Sequence, residues 1–258
     1  MPTILVEINN AIATITLNRP DKLNSFNREM ALLLQKNLDD CAADDSVRAI
    51  YLTGNGKAFC AGQDLAELVG DDPPGFEVIL SQHFNPIITR IRTIEKPVVC
   101  AVNGVAAGAG ANIALCCDVV VATASATFIQ AFSKIGLIPD SGGTFVLPRL
   151  IGFQKASAIM MLGDKITAAE AERLGMIYKV FEEQLFAQES VAIATSLAQL
   201  PTRALAYTKK ALNASMHNTL QEQLREEDRL QLKAAHTQDY NEGIAAFIEK
   251  RPPVFKGS

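Results

Sequence analysis

From Pro97 to Cys117 the chain carries no charged side chain, over about the length of a membrane span. Such a stretch can cross a bilayer or fill the middle of a folded core, and its composition separates the two. It opens with proline, contains Asn103 and Asn112, and is rich in glycine and alanine rather than leucine. These features predict buried structure in a folded core, with no membrane span.

The flanking pattern says what kind of core. VRAIYLTGNG, KPVVCAV and DVVVAT read as buried strands, while HFNPIITRIRTI, AAGAGANIALCC and GTFVLPRLIG read as helices. Strands alternating with helices between residues 47 and 122 predict an α/β core whose strand faces are covered. Ahead of it, ILVEINNAIATITLN alternates apolar and polar about Asn9–Asn10, as a β-hairpin does. Residues 27–43 carry helical periodicity behind a cap at Asn24 or Ser25. VRAIYLTGNG and KPVVCAVNGV share a strand-plus-glycine form that falls short of a repeat. Beyond Phe181 strands disappear, and four helix-like segments follow one another. A helical appendage is expected there, packed on the core or on a neighbouring subunit.

Composition narrows the function. The chain has 258 residues, 48% hydrophobic and 20% charged, with a formal charge of −4. Nucleic-acid binding needs clustered basic residues and is not expected. A polyanionic small molecule would need a local basic patch. Cys41, Cys60, Cys100, Cys116 and Cys117 form no C-x-x-C pair, so neither a disulfide framework nor a zinc site is suggested. His83, His217 and His236 are scattered without metal-ligand spacing, and no G-x-S-x-G elbow occurs. MPTILVEINN lacks the charged start and apolar stretch of a signal peptide, so a cytoplasmic protein is expected.

Two loops follow buried strands and offer backbone rather than side chains: KAFCAGQDL (57–65) and NGVAAGAGANIAL (103–115). Small residues let a ligand approach main-chain N–H groups, and two such groups aimed at one point make an oxyanion hole. Equally, Gly/Ala-rich turns serve tight packing. GNGK lacks the rest of a phosphate loop, and GVAAGAG lacks dinucleotide-site spacing. Downstream, FIQAFSKIGLIPDSGGT holds a single carboxylate, Asp140. It is either the cap of a helix starting near Gly142–Thr144 or a proton-transfer group, and the local sequence supports both. As a base it would need its pKa raised from about 3.9 by a pocket lined with Phe132, Ile138 and other apolar groups.

LNRPDKLNSF (17–26), GKAFCAGQDL (56–65), KPVVCAVNGVAAGAGANIALCCD (96–118), IGLIPDSGGT (135–144) and EGIAAFIEKRPPVF (242–255) together resemble the crotonase, or enoyl-CoA hydratase/isomerase, superfamily along nearly the whole chain. The resemblance implies a spiral of ββα units over residues 1–195 and a helical trimerisation region over 196–258, assembled as a homotrimer or dimer of trimers. It implies acyl-CoA thioester substrates and no separate cofactor or metal. The backbone N–H groups of Gln63 and Ala109 match the family's oxyanion hole. Ala61, Asp64, Leu65, Gly108, Gly110 and Phe132 match residues that shape the loops or meet substrate, and Lys22 and Lys250 match candidates for CoA binding.

The acids depart from the hydratase pattern. The family's hydratases use two glutamates, and the matching positions here are Asn112 and Phe132, neither of which can exchange a proton. The acid of the family's isomerases matches Asp140, and this favours catalyst over cap. Two isomerase reactions are consistent with it: migration of a β,γ double bond into conjugation, and ring expansion of an epoxidised aryl-acetyl thioester. A silent acyl-CoA-binding scaffold and a thioester hydrolase are the alternatives.

Overall fold

The computed structural model describes residues 2–69 and 73–258. β1 (Ile4–Asn9) and β2 (Ile12–Leu17) form the expected hairpin. Its turn falls one residue later than expected, with Asn10 and Ala11 both at positive φ, as a primed two-residue turn requires. α1 (Arg28–Ala43) follows, and its cap is Asn27, whose side chain accepts the Met30 amide. Asn24 and Ser25 therefore do not cap it. Asn24 turns inward instead, accepting the Arg19 amide and donating to the carbonyls of Asn55 and Ala58.

Next come β3 (Ala49–Gly54), β4 (Ala58–Cys60), α2 (Phe76–Val78), which runs on as a π-helix through Phe84, and α3 (Asn85–Thr93). β5 (Val98–Val102), β6 (Val105–Ala107), α4 (Ala109–Leu115), β7 (Val119–Thr123) and β8 (Thr127–Ile129) complete the alternating stretch. α5 (Gly143–Ile151), α6 (Phe153–Leu162), β9 (Lys165–Thr167), α7 (Ala168–Arg173) and β10 (Lys179–Phe181) lead to the helices α8 (Glu183–Gln199), α9 (Thr202–Ser215), α10 (Leu220–Ala235) and α11 (Gln238–Glu249).

Among the described residues the strands form two sheets. The first runs β1-β2-β3-β5-β7-β10, parallel except for the opening hairpin. Successive side chains on a strand point to opposite faces, and both faces are buried in β3, β5 and β7, while the edge strand β1 is largely exposed. Ile50, Leu52, Cys100 and Val102 enter the main core with α1 and α4, while Tyr51, Val99, Ala101 and Val121 face α8. Tyr51 also hydrogen-bonds Ser190 across that second layer at 2.7 Å. α8 thus covers the sheet, and the expected boundary between residues 195 and 196 falls inside it.

The second sheet runs β4-β6-β8-β9, with β4, β6 and β8 parallel. Its register sets Cys60 beside Ala106 and Ala107 beside Ile129. Three loops therefore leave the carboxyl ends of adjacent parallel strands side by side, the place where open α/β sheets gather ligands.

Candidate active site

Those three loops begin at Ala61, Gly108 and Gln130. The first is zipped to the segment after β2: Phe26 donates to the Gly62 carbonyl at 2.7 Å and accepts the Asp64 amide at 2.8 Å. A parallel bridge of this kind uses residues 62 and 64 and turns the Gln63 amide to the opposite side. Ala109 opens α4, so its N–H has no acceptor within the helix. Among the described residues neither amide has an acceptor. The two loops abut closely. A Cβ on Gly62 would lie 3.0 Å from the Ala107 carbonyl oxygen and 3.5 Å from the Ala109 nitrogen. One on Gly110 would lie 2.5 Å from the Cys60 carbonyl oxygen. Glycine at these positions lets the two free N–H groups approach one another.

Both residues line a cavity of about 200 Å³. Ala61, Leu65, Gly108 and Phe132 line it as expected, and so does Asp140. Phe132 is buried, and its ring lies 3.7 Å from where a Gly108 Cβ would be. Two of the expected residues shape the loops without lining the cavity, and the expected Ile138 wall needs correction. Gly110 packs on Cys60 rather than lining the cavity. Asp64 points away: it pairs with Arg19 at 2.8 Å and accepts the Ala66 amide, so it shapes the loop only. Ile138 is 80% exposed and borders a neighbouring depression of about 470 Å³, which Asp140 also borders. Lys22 and Lys250 are exposed and lie outside the cavity wall.

Asp140 is half-buried, and burial raises its carboxyl pKa above the ordinary aspartate range. A hydrogen bond from the Ser141 hydroxyl to Oδ1, at 2.7 Å, pulls in the opposite direction. Oδ2 accepts no hydrogen bond among the described residues. The helix that follows takes no side-chain cap: its N-cap is Gly142, in left-handed conformation. The capping alternative for Asp140 therefore fails, and among the described residues its carboxylate is the one acid on the cavity wall.

Other groups are excluded or reassigned. Burial pushes the Cys60 thiol up to about 12, so it offers no nucleophile at neutral pH. No histidine lines the cavity. Among the described residues no His, Cys, Asp or Glu cluster could hold a metal ion, and no helix is long and apolar enough to cross a membrane. Glu67 fixes the Gln63 side chain, accepting from its Nε2 at 2.9 Å and from the Arg28 amide at 2.8 Å. Lys134, Phe76, Ile79 and Phe84 also line the cavity. Lys134 lies two residues beyond Phe132, and the other three come from the segment before α3, within the region 66–90 expected to supply pocket walls.

An α/β chain whose cavity wall holds two unpaired amides and, among the described residues, a single carboxylate is equipped to hold an acyl oxygen and move a proton. It belongs to the enoyl-CoA hydratase/isomerase family, whose sequence model matches residues 7–258, and it is an enzyme with the crotonase fold. It is similar over 100% of its length, at 44% identity, to 1,2-epoxyphenylacetyl-CoA isomerase of Escherichia coli, of which 99% is covered. It is also 44% identical to a probable enoyl-CoA hydratase of Rhodobacter capsulatus, covering 99% of this chain and 98% of that protein. A putative enoyl-CoA hydratase/isomerase structure from Mycobacterium abscessus superposes with a TM-score of 0.93 at 36% identity, over 99% of this chain and 100% of that one.

Proposed function

We propose that this enzyme converts ring-1,2-epoxyphenylacetyl-CoA to an oxepin-CoA, with Asp140 as the shuttling acid and base. The thioester oxygen sits between the amides of Gln63 and Ala109. Asp140 takes a proton from the methylene carbon beside the thioester, and negative charge collects on that oxygen. The C–H electron pair forms a double bond to the substituted ring carbon, the C–C bond between the two epoxide carbons breaks to open the seven-membered ring, its electron pair shifts through the diene, and Asp140 returns the same proton to a ring carbon. Atoms and electrons balance without a co-reactant, as an isomerisation requires. Loss of one oxyanion donor would cost about 2.7–4 kcal/mol of transition-state stabilisation.

The observation that carries this reading is the carboxylate of Asp140, which shares the cavity with both free amides and, among the described residues, with no second acid. The hydratase reading lacks both glutamates, because Asn112 is buried outside the cavity wall and Phe132 is a hydrocarbon. The likeness to an epoxyphenylacetyl-CoA isomerase supports the ring substrate. The same shuttle would move a β,γ double bond into conjugation. CoA is proposed to lie along the first loop with Lys22 and Lys250 near its phosphates, in a cytoplasmic homotrimer or dimer of trimers.

The test is Asp140→Asn, assayed on the aryl epoxide thioester, on a straight-chain β,γ-enoyl thioester, and for hydration of an α,β-enoyl thioester. Turnover of the epoxide is expected to fall by about 10²–10⁴-fold, the range for losing a general acid–base group. Wild-type-like turnover in the variant would end the proposal. So would hydration as the main activity of the unaltered enzyme.

A further inference from the structure

Asn112 stands where the family's hydratases carry a glutamate, yet it does not face the substrate. It is fully buried, one helical turn beyond Ala109 on α4. Its Nδ2 donates to the main-chain carbonyl of Asp140 at 2.8 Å, and its Oδ1 accepts from Nε2 of Gln130, also at 2.8 Å. Gln130 is 1% exposed. The Asp140 carbonyl also accepts the Gly143 amide at 2.8 Å, closing the turn through Ser141 and Gly142. A carbonyl can only accept, so the Asn112 amide must present its NH₂ to it, and Gln130 must then donate. The polarity of the chain is thereby fixed from one end to the other. The fit is close: a Cβ on Gly143 would fall 2.4 Å from Asn112 Nδ2.

We propose that Asn112, held in direction by Gln130, is a positioning residue that registers the Asp140 carboxylate against the oxyanion amide of Ala109. One short helix carries the amide at its first residue and the hook on the base loop one turn later. The distance between proton acceptor and oxyanion donor is then set by a single rigid element rather than by two independent loops. Asn112 does not touch substrate; it acts through the backbone of Asp140. The inference rests on Asp140 being the base.

Removing Asn112 alone would leave the Gln130 amide without a partner, whereas replacing both groups with apolar side chains of like shape can be nearly neutral for stability. The double variant Asn112→Leu/Gln130→Met is therefore compared with the unaltered enzyme by thermal melting and by kcat and KM on the proposed epoxide thioester or the β,γ-enoyl thioester, whichever it turns over. The thioester is gripped by the amides and cavity wall in ground and transition states alike, so KM is expected to stay within about twofold. A base displaced by about 1 Å is expected to lower kcat by about 10²-fold. Gly143→Ala drives a methyl group into the Asn112 amide from the other side and is expected to show the same kcat loss with KM held. Wild-type kcat in either folded variant overturns the inference. Asp140→Asn is run in parallel: if that variant stays active, the reading of Asp140 as base has failed, whereas an inactive Asp140→Asn beside a fully active double variant or Gly143→Ala rejects the positioning role alone.

Discussion

The residue to which the proton shuttle is assigned in our proposal was visible in the sequence, but its surroundings were not. Asp140 stood out as a lone acid among apolar and glycine residues, yet sequence could not choose between cap and base, because Asp suits both. The structure removes the side-chain cap and shows what surrounds the carboxylate. Ser141 sits in left-handed conformation at φ 48°, buried, and donates to Asp140 Oδ1 rather than to solvent. That bond favours the ionised carboxylate, while burial favours the neutral acid and is the larger effect. Because the base works only when ionised, activity is expected to fall as pH drops through its raised pKa. Ser141→Ala and Ser141→Gly both remove the donor, and glycine does so without strain at positive φ. In each, the acidic limb of kcat/KM against pH is expected to move to higher pH; an unmoved limb would show that the hydroxyl does not act on the base. Stability runs the other way. An acid whose pKa is raised on folding contributes stability below its unfolded value that is lost as pH rises through the folded one. Asp140→Asn removes this cost, so its melting temperature near neutral pH is expected to equal or exceed that of the unaltered enzyme. A marked drop would instead mean that the carboxylate holds the turn together.

At the scale of elements, long buried strands and amphipathic helices were legible because their periodicity spans enough residues to stand out. β3, β5, β7, α1, α9 and α10 fall within the expected segments, whereas α8 begins six residues and α11 one residue before theirs. The second sheet was not legible. β4, β6, β8 and β9 have three residues each, too few for a period of two to show. Yet this sheet brings the two amides together, because its parallel register places the ends of β4 and β6 side by side. The glycine loops announced close backbone approach without saying to what. Gly110→Ala tests that approach directly, since its Cβ would meet the Cys60 carbonyl oxygen at 2.5 Å. Backbone cannot yield as a flexible side chain does, so α4 must shift away from β4, at a cost of about 1–3 kcal/mol. Differential scanning calorimetry is expected to show a lower melting temperature. Movement of the Ala109 amide is expected to lower kcat by up to about 10²–10³-fold, as when one oxyanion donor is lost. Unchanged kcat in a destabilised variant would separate packing from catalysis and count against Ala109 as a donor.

At the scale of the whole molecule, the helical appendage was legible as helices but not as a surface, because sequence does not say which face a neighbour covers. Part of the answer lies in how the tail is tied. Asp239 accepts the amides of Lys256 and Gly257, and Arg48 donates to the Phe255 and Leu200 carbonyls, so the last residues fold back on their own chain. Lys209 pairs with Asp118 at 2.7 Å and fixes α9 beside β7. With those faces used internally, large apolar side chains remain outside: Phe247 is 84% exposed, Ile248 72%, Leu220 68% and Leu232 64%. Apolar groups gathered in this way mark an interface when they form a contiguous patch. The proposed homotrimer would cover them, and sedimentation equilibrium is expected to give three or six times the 27.8 kDa of one chain. Charging the outer face of α11 by Phe247→Asp and Ile248→Asp puts unpaired carboxylates where burial is proposed. The mass is then expected to fall toward that of one chain. A monomeric unaltered enzyme, or a doubly charged variant that keeps the full assembly, would show that this helix face is not where the copies meet.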